Sequence, residues 1–202
     1  MTRAVVFDLG GVLIDWNPRH LYRKLLPDDA SVEAFLAEVC TADWNYQQDA
    51  GRAVADAVAE VSARHPERAE LIAAYYERFE EMLGGPIEES VAVVAELAAA
   101  GVPLYALTNW SRETFPIARR RFDFLQRFRG IVVSGEERAA KPDPRIYQIL
   151  LERYRLDPAS CLFIDDVARN AEGARAAGMQ AIVYTSPGQL RRELAARSIL
   201  AQ

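Results

Sequence analysis

The chain alternates between short, wholly apolar runs and longer stretches whose apolar residues recur three and four positions apart. Runs at 4–7, 103–107, 130–133, 161–164 and 180–184 are short and continuous, which is the pattern of strands buried on both faces. Between them, 88–100 places Val91, Val94, Ala95 and Ala98 at helical spacing and stops at Gly101. Helices are also predicted at 145–154, after Pro142 and Pro144, at 170–177, ending at Gly178, and at 187–200, opened by Ser186-Pro187. Strands alternating with helices predict an α/β fold, a Rossmann-like three-layer arrangement around a parallel sheet.

Residues 17–84 interrupt that alternation. They read as helices at 18–26, 31–41, 53–65 and 67–83 with no strand among them. A connection this long is unusual in a compact domain. It predicts a helical cap (17–84) inserted after the first strand of a core made of 1–16 and 85–202, with Gly84-Gly85-Pro86 as return linker. The competing arrangement places these helices in the main layer.

Composition narrows the function. Of 202 residues half are hydrophobic, enough for a substantial core, and the net charge of −5 argues against nucleic acid as a partner. The runs Arg119-Arg120-Arg121 and Arg191-Arg192 read as solvated helix faces. Two distant cysteines, Cys40 and Cys161, suit a reducing, cytoplasmic setting. No apolar stretch approaches a membrane span, so no membrane partner is expected. Both a monomer and a homodimer are compatible with the chain.

The candidate chemistry lies at strand ends. Asp8 closes the first apolar run and is followed by Gly10-Gly11; Thr108-Asn109 follows the second; Lys141 lies downstream of the third; Asp165-Asp166 follows the fourth. Ligands bind at the carboxyl edge of such sheets. Carboxylates from two strands make an oxygen-lined place for Mg²⁺, and a free carboxylate beside it can attack phosphorus. A lysine and a threonine hydroxyl can hold phosphoryl oxygens. Taken singly, Asp8 also suits a solvated turn, Thr108-Asn109 a helix cap, and Lys141 a surface position.

The order of these pieces resembles the haloacid dehalogenase-like hydrolase superfamily, of the subfamily IA type. The resemblance rests on Val5-Val6-Phe7-Asp8-Leu9-Gly10-Gly11-Val12-Leu13, Leu107-Thr108-Asn109, Lys141-Pro142-Asp143-Pro144-Arg145-Ile146-Tyr147 and Phe163-Ile164-Asp165-Asp166-Val167-Ala168-Arg169-Asn170. It implies Asp8 as nucleophile, Thr108 and Lys141 as catalytic and phosphoryl-binding groups, and Asn109 as a further substrate contact. It implies Mg²⁺ held by Asp8, the Gly10 carbonyl and Asp166, with Asp165 as a neighbouring metal-shell acid and Asn170 orienting water or the aspartate pair. Within the superfamily the Asp-Leu-Gly start and the Lys-Pro-x-x-Arg-Ile-Tyr segment are similar to bacterial α-glucose-1-phosphatase-like proteins, and the latter also to the N-terminal phosphatase domain of soluble epoxide hydrolases. The expected activity is Mg²⁺-dependent hydrolysis of a small phosphorylated metabolite, a sugar phosphate among them, through an aspartyl-phosphate on Asp8.

Many phosphatases of the superfamily carry an acid two residues after the nucleophile, where this chain has Gly10. Its absence predicts either substrates with weakly basic leaving groups or another proton donor, Asp15 or Asp49. In the cap, 44–52 is expected to be a polar segment joining two helices, either facing the site, with Trp44 stacking on a sugar and Gln48 hydrogen-bonding it, or forming a wet loop with Trp44 packed into the cap core. Two alternatives remain: a metal-free 2-haloacid dehalogenase, with Arg23 or Arg52 holding halide, and a catalytically weak binding protein of the same fold. His20 and His65 have no matched partner in the sequence and are expected to be surface or packing residues.

Overall fold

The computed structural model describes residues 4–200. β1 (Ala4–Phe7) runs into Asp8, and a tight loop leads to β2 (Ile14–Trp16). Then come α1 (Arg19–Tyr22), α2 (Asp29–Glu38), α3 (Ala42–Asp49), α4 (Val54–Arg64) and α5 (Ala69–Glu77), followed by β3 (Leu83–Pro86). The remainder is α6 (Glu88–Ala99), β4 (Leu104–Thr108), α7 (Phe115–Arg121), β5 (Gly130–Val133), α8 (Ser134–Glu137), α9 (Pro144–Tyr154), β6 (Cys161–Asp165), α10 (Ala168–Ala176), β7 (Gln180–Val183) and α11 (Pro187–Ala196).

Among the described residues, five strands form one parallel sheet in the order β5-β4-β1-β6-β7. The central strand is buried on both faces. Val5 and Phe7 point into one core, with Val93, Val94 and Leu97 of α6 and Leu190 and Leu194 of α11. Ala4 and Val6 point into the other, with Ile146, Tyr147 and Leu150 of α9 and Ala174 of α10. Burying side chains such as Val5, Val6 and Phe7 stabilises by about 1.5–3 kcal/mol each, which anchors the strand that carries Asp8. The register sets Phe7 beside Ala106 and Ile164, so Asp8, Thr108 and Asp165 emerge together at the carboxyl edge.

The punctuation acts as expected. Gly101 and Gly178 adopt positive φ (78° and 89°) just past α6 and α10, and Ser186 caps α11 by accepting from the Gln189 N–H. Two expectations fail. First, 42–49 is a helix, α3, capped by Thr41, where a joining segment was expected. Its sequence lacks apolar periodicity because it buries Asn45 and Gln48 alongside Trp44. Second, the chain leaves and re-enters the core through a small antiparallel ladder, β2 with β3, that pairs Ile14 with Pro86 and Trp16 with Leu83. That ladder places a strand residue, Leu83, inside the stretch read as purely helical. Strands this short show no usable alternation.

Candidate active site

Lys141 organises the floor of the site. It is fully buried, and its Nζ has three partners: the Leu107 carbonyl at 2.9 Å, Asp165 Oδ2 at 2.7 Å and Asp8 Oδ2 at 2.9 Å. An ammonium has three N–H donors, so none is left over. The ring of Phe163 lies 5.4 Å below it. Burial alone would lower the lysine pKa, but the carboxylates of Asp8 and Asp165 outweigh it and hold the group charged, above its ordinary value.

The placement of Lys141 follows from a clasp between loops. Asn109 Oδ1 accepts from the Lys141 N–H at 2.8 Å, and Asn109 Nδ2 donates to the Lys141 carbonyl at 2.9 Å. The Asn109 side chain is therefore occupied in tying the β4 loop to the lysine loop. Asn109 still lines the cavity, but its amide is already paired.

The two adjacent aspartates do different work. Asp165 accepts from Val167 N, Asn170 Nδ2 and Lys141 Nζ across both oxygens. Three donor groups thus engage both oxygens, so Asp165 holds Lys141 and the loop after β6. Asn170 serves that anchoring. Asp166 is exposed to the cavity, and among the described residues no ion pair engages it. Burial, and next the charge of Asp165, raise its pKa.

Asp8 is 8% exposed. Its Oδ1 accepts from the Leu9 N–H at 2.7 Å. Burial raises its pKa well above the carboxylate range, with Asp165 and Asp166 adding to the rise and Lys141 opposing it. Asp8, Asp165 and Asp166 bring one oxygen each within 4.8 Å of one another. Three carboxylates thus share one ammonium, an excess of negative charge that suits a hard divalent cation. Leu9 accepts from the N–H groups of Val12, Leu13 and Ile14, whereas none of the described hydrogen bonds ends on the carbonyl of Gly10, which lines the same cavity. Gly11 was not singled out in the sequence beyond its place in the glycine pair. It adopts φ 73°, and a Cβ there would stand 2.4 Å from Asp166 Oδ2. Thr108 is 1% exposed, and its Oγ1 has no partner among the described residues. A buried hydroxyl left unpaired costs free energy, which a phosphoryl oxygen would recover.

Opposite this floor, α3 supplies the cap side of a cavity of about 410 Å³, with Asn45, Tyr46 and Asp49. Trp16, Phe79 and Trp110 add aromatic surface, and Asp43 and Arg169 add charge at its margin. Here the sequence expectation is corrected. Trp44 and Gln48 do not reach the cavity. Trp44 packs on Tyr75 and Tyr76 and donates to the Ala57 carbonyl at 3.3 Å, and Gln48 is fully buried on the same inner side. Trp44 and Gln48 are four residues apart and share one helical face, while Asn45 and Asp49 share the adjacent one. Phe79, Trp110 and Arg169 were missed. Trp110 directly follows Thr108-Asn109, a position that could have flagged it; Phe79 and Arg169 carry no local signal.

Other candidates separate as cleanly. Asp15 binds His20 at 2.9 Å with half its side chain in solvent, which also gives His20 the partner it lacked in the sequence. Asp49, by contrast, faces the cavity. Arg23 is paired with Asp29 and Arg52 with Glu60, and neither lines the cavity.

Comparison with known proteins agrees with this geometry. A family model described as haloacid dehalogenase-like hydrolase matches residues 2–178. Mouse acyl-CoA dehydrogenase family member 10 is 26% identical over 219 residues, covering 96% of this chain but only 19% of the mouse protein. The sesquiterpene phosphatase of Aspergillus oryzae is 26% identical over 183 residues, 91% of this chain and 90% of that protein. A HAD family enzyme of Bacteroides thetaiotaomicron, solved with magnesium and inorganic phosphate, superposes with a TM-score of 0.72 at 20% identity over 92% of this chain and 96% of its own, a likeness of fold. No described helix is long and apolar enough to cross a membrane. With an aspartate at the end of its central strand, a buried lysine beside it and a family model spanning nearly the whole chain, this protein belongs to the haloacid dehalogenase-like hydrolase family.

Proposed function

We propose that this chain is a Mg²⁺-dependent phosphomonoesterase that acts on a small phosphorylated metabolite through Asp8. The observation that carries the reading is the floor of the cavity: the Asp8 carboxylate between a charged Lys141 and an open Asp166, with the buried, unpartnered hydroxyl of Thr108 at the same sheet edge. The sesquiterpene phosphatase and the magnesium–phosphate complex of the Bacteroides enzyme support it.

Asp8 attacks phosphorus and the ester oxygen leaves, giving an aspartyl-phosphate on Asp8. Lys141 keeps the carboxylate in place and offsets the charge gathered there. Thr108 Oγ1 donates to a phosphoryl oxygen. Asp8, Asp166 and the Gly10 carbonyl would hold the cation, and Asp165 supports them through Lys141. When bound, Mg²⁺ neutralises phosphoryl charge and orients the phosphate. Trp16, Tyr46, Phe79 and Trp110 offer stacking faces, and Asn45 and Asp43 polar contacts, for an organic group of about sugar size. The paired aspartates and the absence of Arg23 and Arg52 from the cavity lining weigh against metal-free dehalogenation.

The test is phosphate release over a panel of phosphometabolites, including hexose 1- and 6-phosphates, with Mg²⁺ or EDTA and with Asp8→Asn as control. Release that needs both Mg²⁺ and Asp8 is the expected result. Silence across the panel, together with halide release from 2-chloropropionate, would overturn the reading.

A further inference from the structure

Position 10 is glycine, so the floor of the site contains no acid to protonate a leaving group. Every carboxylate there is committed: Asp8 to attack, Asp165 to Lys141 and Asn170, Asp166 to the cation. The cap presents two that are not, Asp43, which is exposed, and Asp49, which is held by the cap's own side chains. Asp49, in the last turn of α3, lines the same cavity as Asp8. Tyr76 Oη donates to Asn45 Oδ1 at 3.1 Å, and Asn45 Nδ2 donates to Asp49 Oδ2 at 3.0 Å. This relay steadies the carboxyl, and the Ser111 N–H of the core lies close enough to act on it.

The cap is seated on the core around this point. Tyr46 Oη reaches the Ala140 carbonyl at 3.5 Å, Glu113 accepts from the Val54 N–H at 2.9 Å, and the Arg138 side chain lies against Gly51. Resting on the phosphatase reading above, we propose that Asp49 is the proton donor and acceptor of the reaction, replacing from the cap the acid that is missing at Gly10.

The steps balance as follows. Asp8 forms a bond to phosphorus, the ester P–O bond breaks, and the Asp49 proton passes to the departing oxygen to give the free alcohol and the Asp49 carboxylate. Water then attacks phosphorus, its proton returns to Asp49, the bond to Asp8 breaks, and inorganic phosphate leaves with both residues restored. Burial raises the Asp49 pKa to about 7, against smaller opposing effects of the Ser111 N–H and Lys141. An acid with a pKa near the working pH serves both half-reactions. The titratable and charged groups facing it are Tyr75 and Tyr76 from α5, both held neutral by burial, Lys141 from the core, and Arg138 and Glu113 where the core meets the cap.

The experiment compares the intact protein with Asp49→Asn, Gly10→Asp and the double variant, using kcat/KM for p-nitrophenyl phosphate and for an alkyl phosphate across pH. Asp49→Asn should slow the alkyl ester roughly 10²–10⁴-fold and the nitrophenyl ester less than about tenfold, because the weakly basic phenolate leaves without a proton. The fall in alkyl turnover above about pH 7 should vanish with it, and Gly10→Asp should restore alkyl turnover in the Asp49→Asn background. A Gly10 Cβ meets nothing closer than 4.0 Å, so this rescue is sterically open. Carbon-13 NMR of labelled aspartate in the metal-free protein should show a carboxyl titrating near pH 7 that Asp49→Asn removes. Equal losses on both esters, or none, in a protein whose turnover needs Asp8 would overturn this proposal alone. Inactivity of the unaltered protein on every ester would overturn it together with the phosphatase reading.

Discussion

The floor and the roof of the cavity are built by different rules. On the core side, Lys141, Asp165, Asn109 and Asn170 spend their polar atoms on one another, and the strands fix their spacing through backbone register. On the cap side, one polar helix of eight residues faces the cavity with Asn45, Tyr46 and Asp49, and a relay from Tyr76 steadies Asn45 and Asp49. The difference separates the fixed seat of the nucleophile, metal and phosphoryl group from a face that carries selection and, on the proposal above, the proton transfer. A floor so closely paired has little freedom to vary without losing its charge balance, whereas the roof can change side chains at small structural cost.

The largest expected effect breaks the floor at its centre. Asp8→Asn should lower phosphate release by roughly 10⁴-fold or more, as loss of a nucleophile does elsewhere, with the fold intact by circular dichroism. Residual activity within tenfold of the starting value would remove Asp8 from the role proposed here. Lys141→Met should come next. It strands Asp8 and Asp165 as buried carboxylates without their cation, which costs about 3–5 kcal/mol. Urea unfolding of the metal-free protein measures it, and an unchanged midpoint would mean that the ion-pair cluster is not what holds the floor together.

The glycines sharpen the same contrast. Gly11→Ala forces a Cβ against Asp166 Oδ2 and should weaken Mg²⁺ binding roughly 10–100-fold, read by titrating the metal against activity or by calorimetry. Gly10→Ala should change it little, since that position is open.

On the roof, Asp49 carries a stability cost of the kind expected at an active site. Its folded pKa is raised, from the ordinary 3.8 to about 7. Stability from this group is therefore fully present below the unfolded value and is lost as pH climbs through about 7. Asp49→Asn should be the more stable protein at pH 8, on the order of 2 kcal/mol, part of the shift being screened by cavity water. The two should converge below about pH 4; urea unfolding at both pH values decides it. The smallest effect tests the corrected residue. Trp44→Phe loses the bond to Ala57 and should cost about 1 kcal/mol while leaving KM unchanged. A large rise in KM would return Trp44 to the substrate.

Trp44 and Asp49 also show where sequence reasoning stops. Both stood out as chemically capable residues, but 42–49 has no apolar period from which to assign its faces, so Trp44, which packs inside the cap, was expected at the cavity beside Asp49. Asp165 and Asp166 present the same problem in miniature. As neighbours at the end of a strand they are equivalent on paper; a single peptide step sends one into a four-contact anchor and leaves the other open.

The sequence by itself determined the parallel sheet, the family and the candidate set Asp8, Thr108, Lys141 and Asp165-Asp166, because buried strands announce themselves as continuous apolar runs and their carboxyl ends are where side chains with chemistry must stand. Only the tertiary structure decided which atoms remain unpaired, which face of α3 meets the cavity and which of Asp15 and Asp49 reaches it. Those outcomes depend on contacts between residues far apart in the chain, such as Tyr76 with Asn45 and Asn109 with Lys141, and no local pattern encodes a partner that distant.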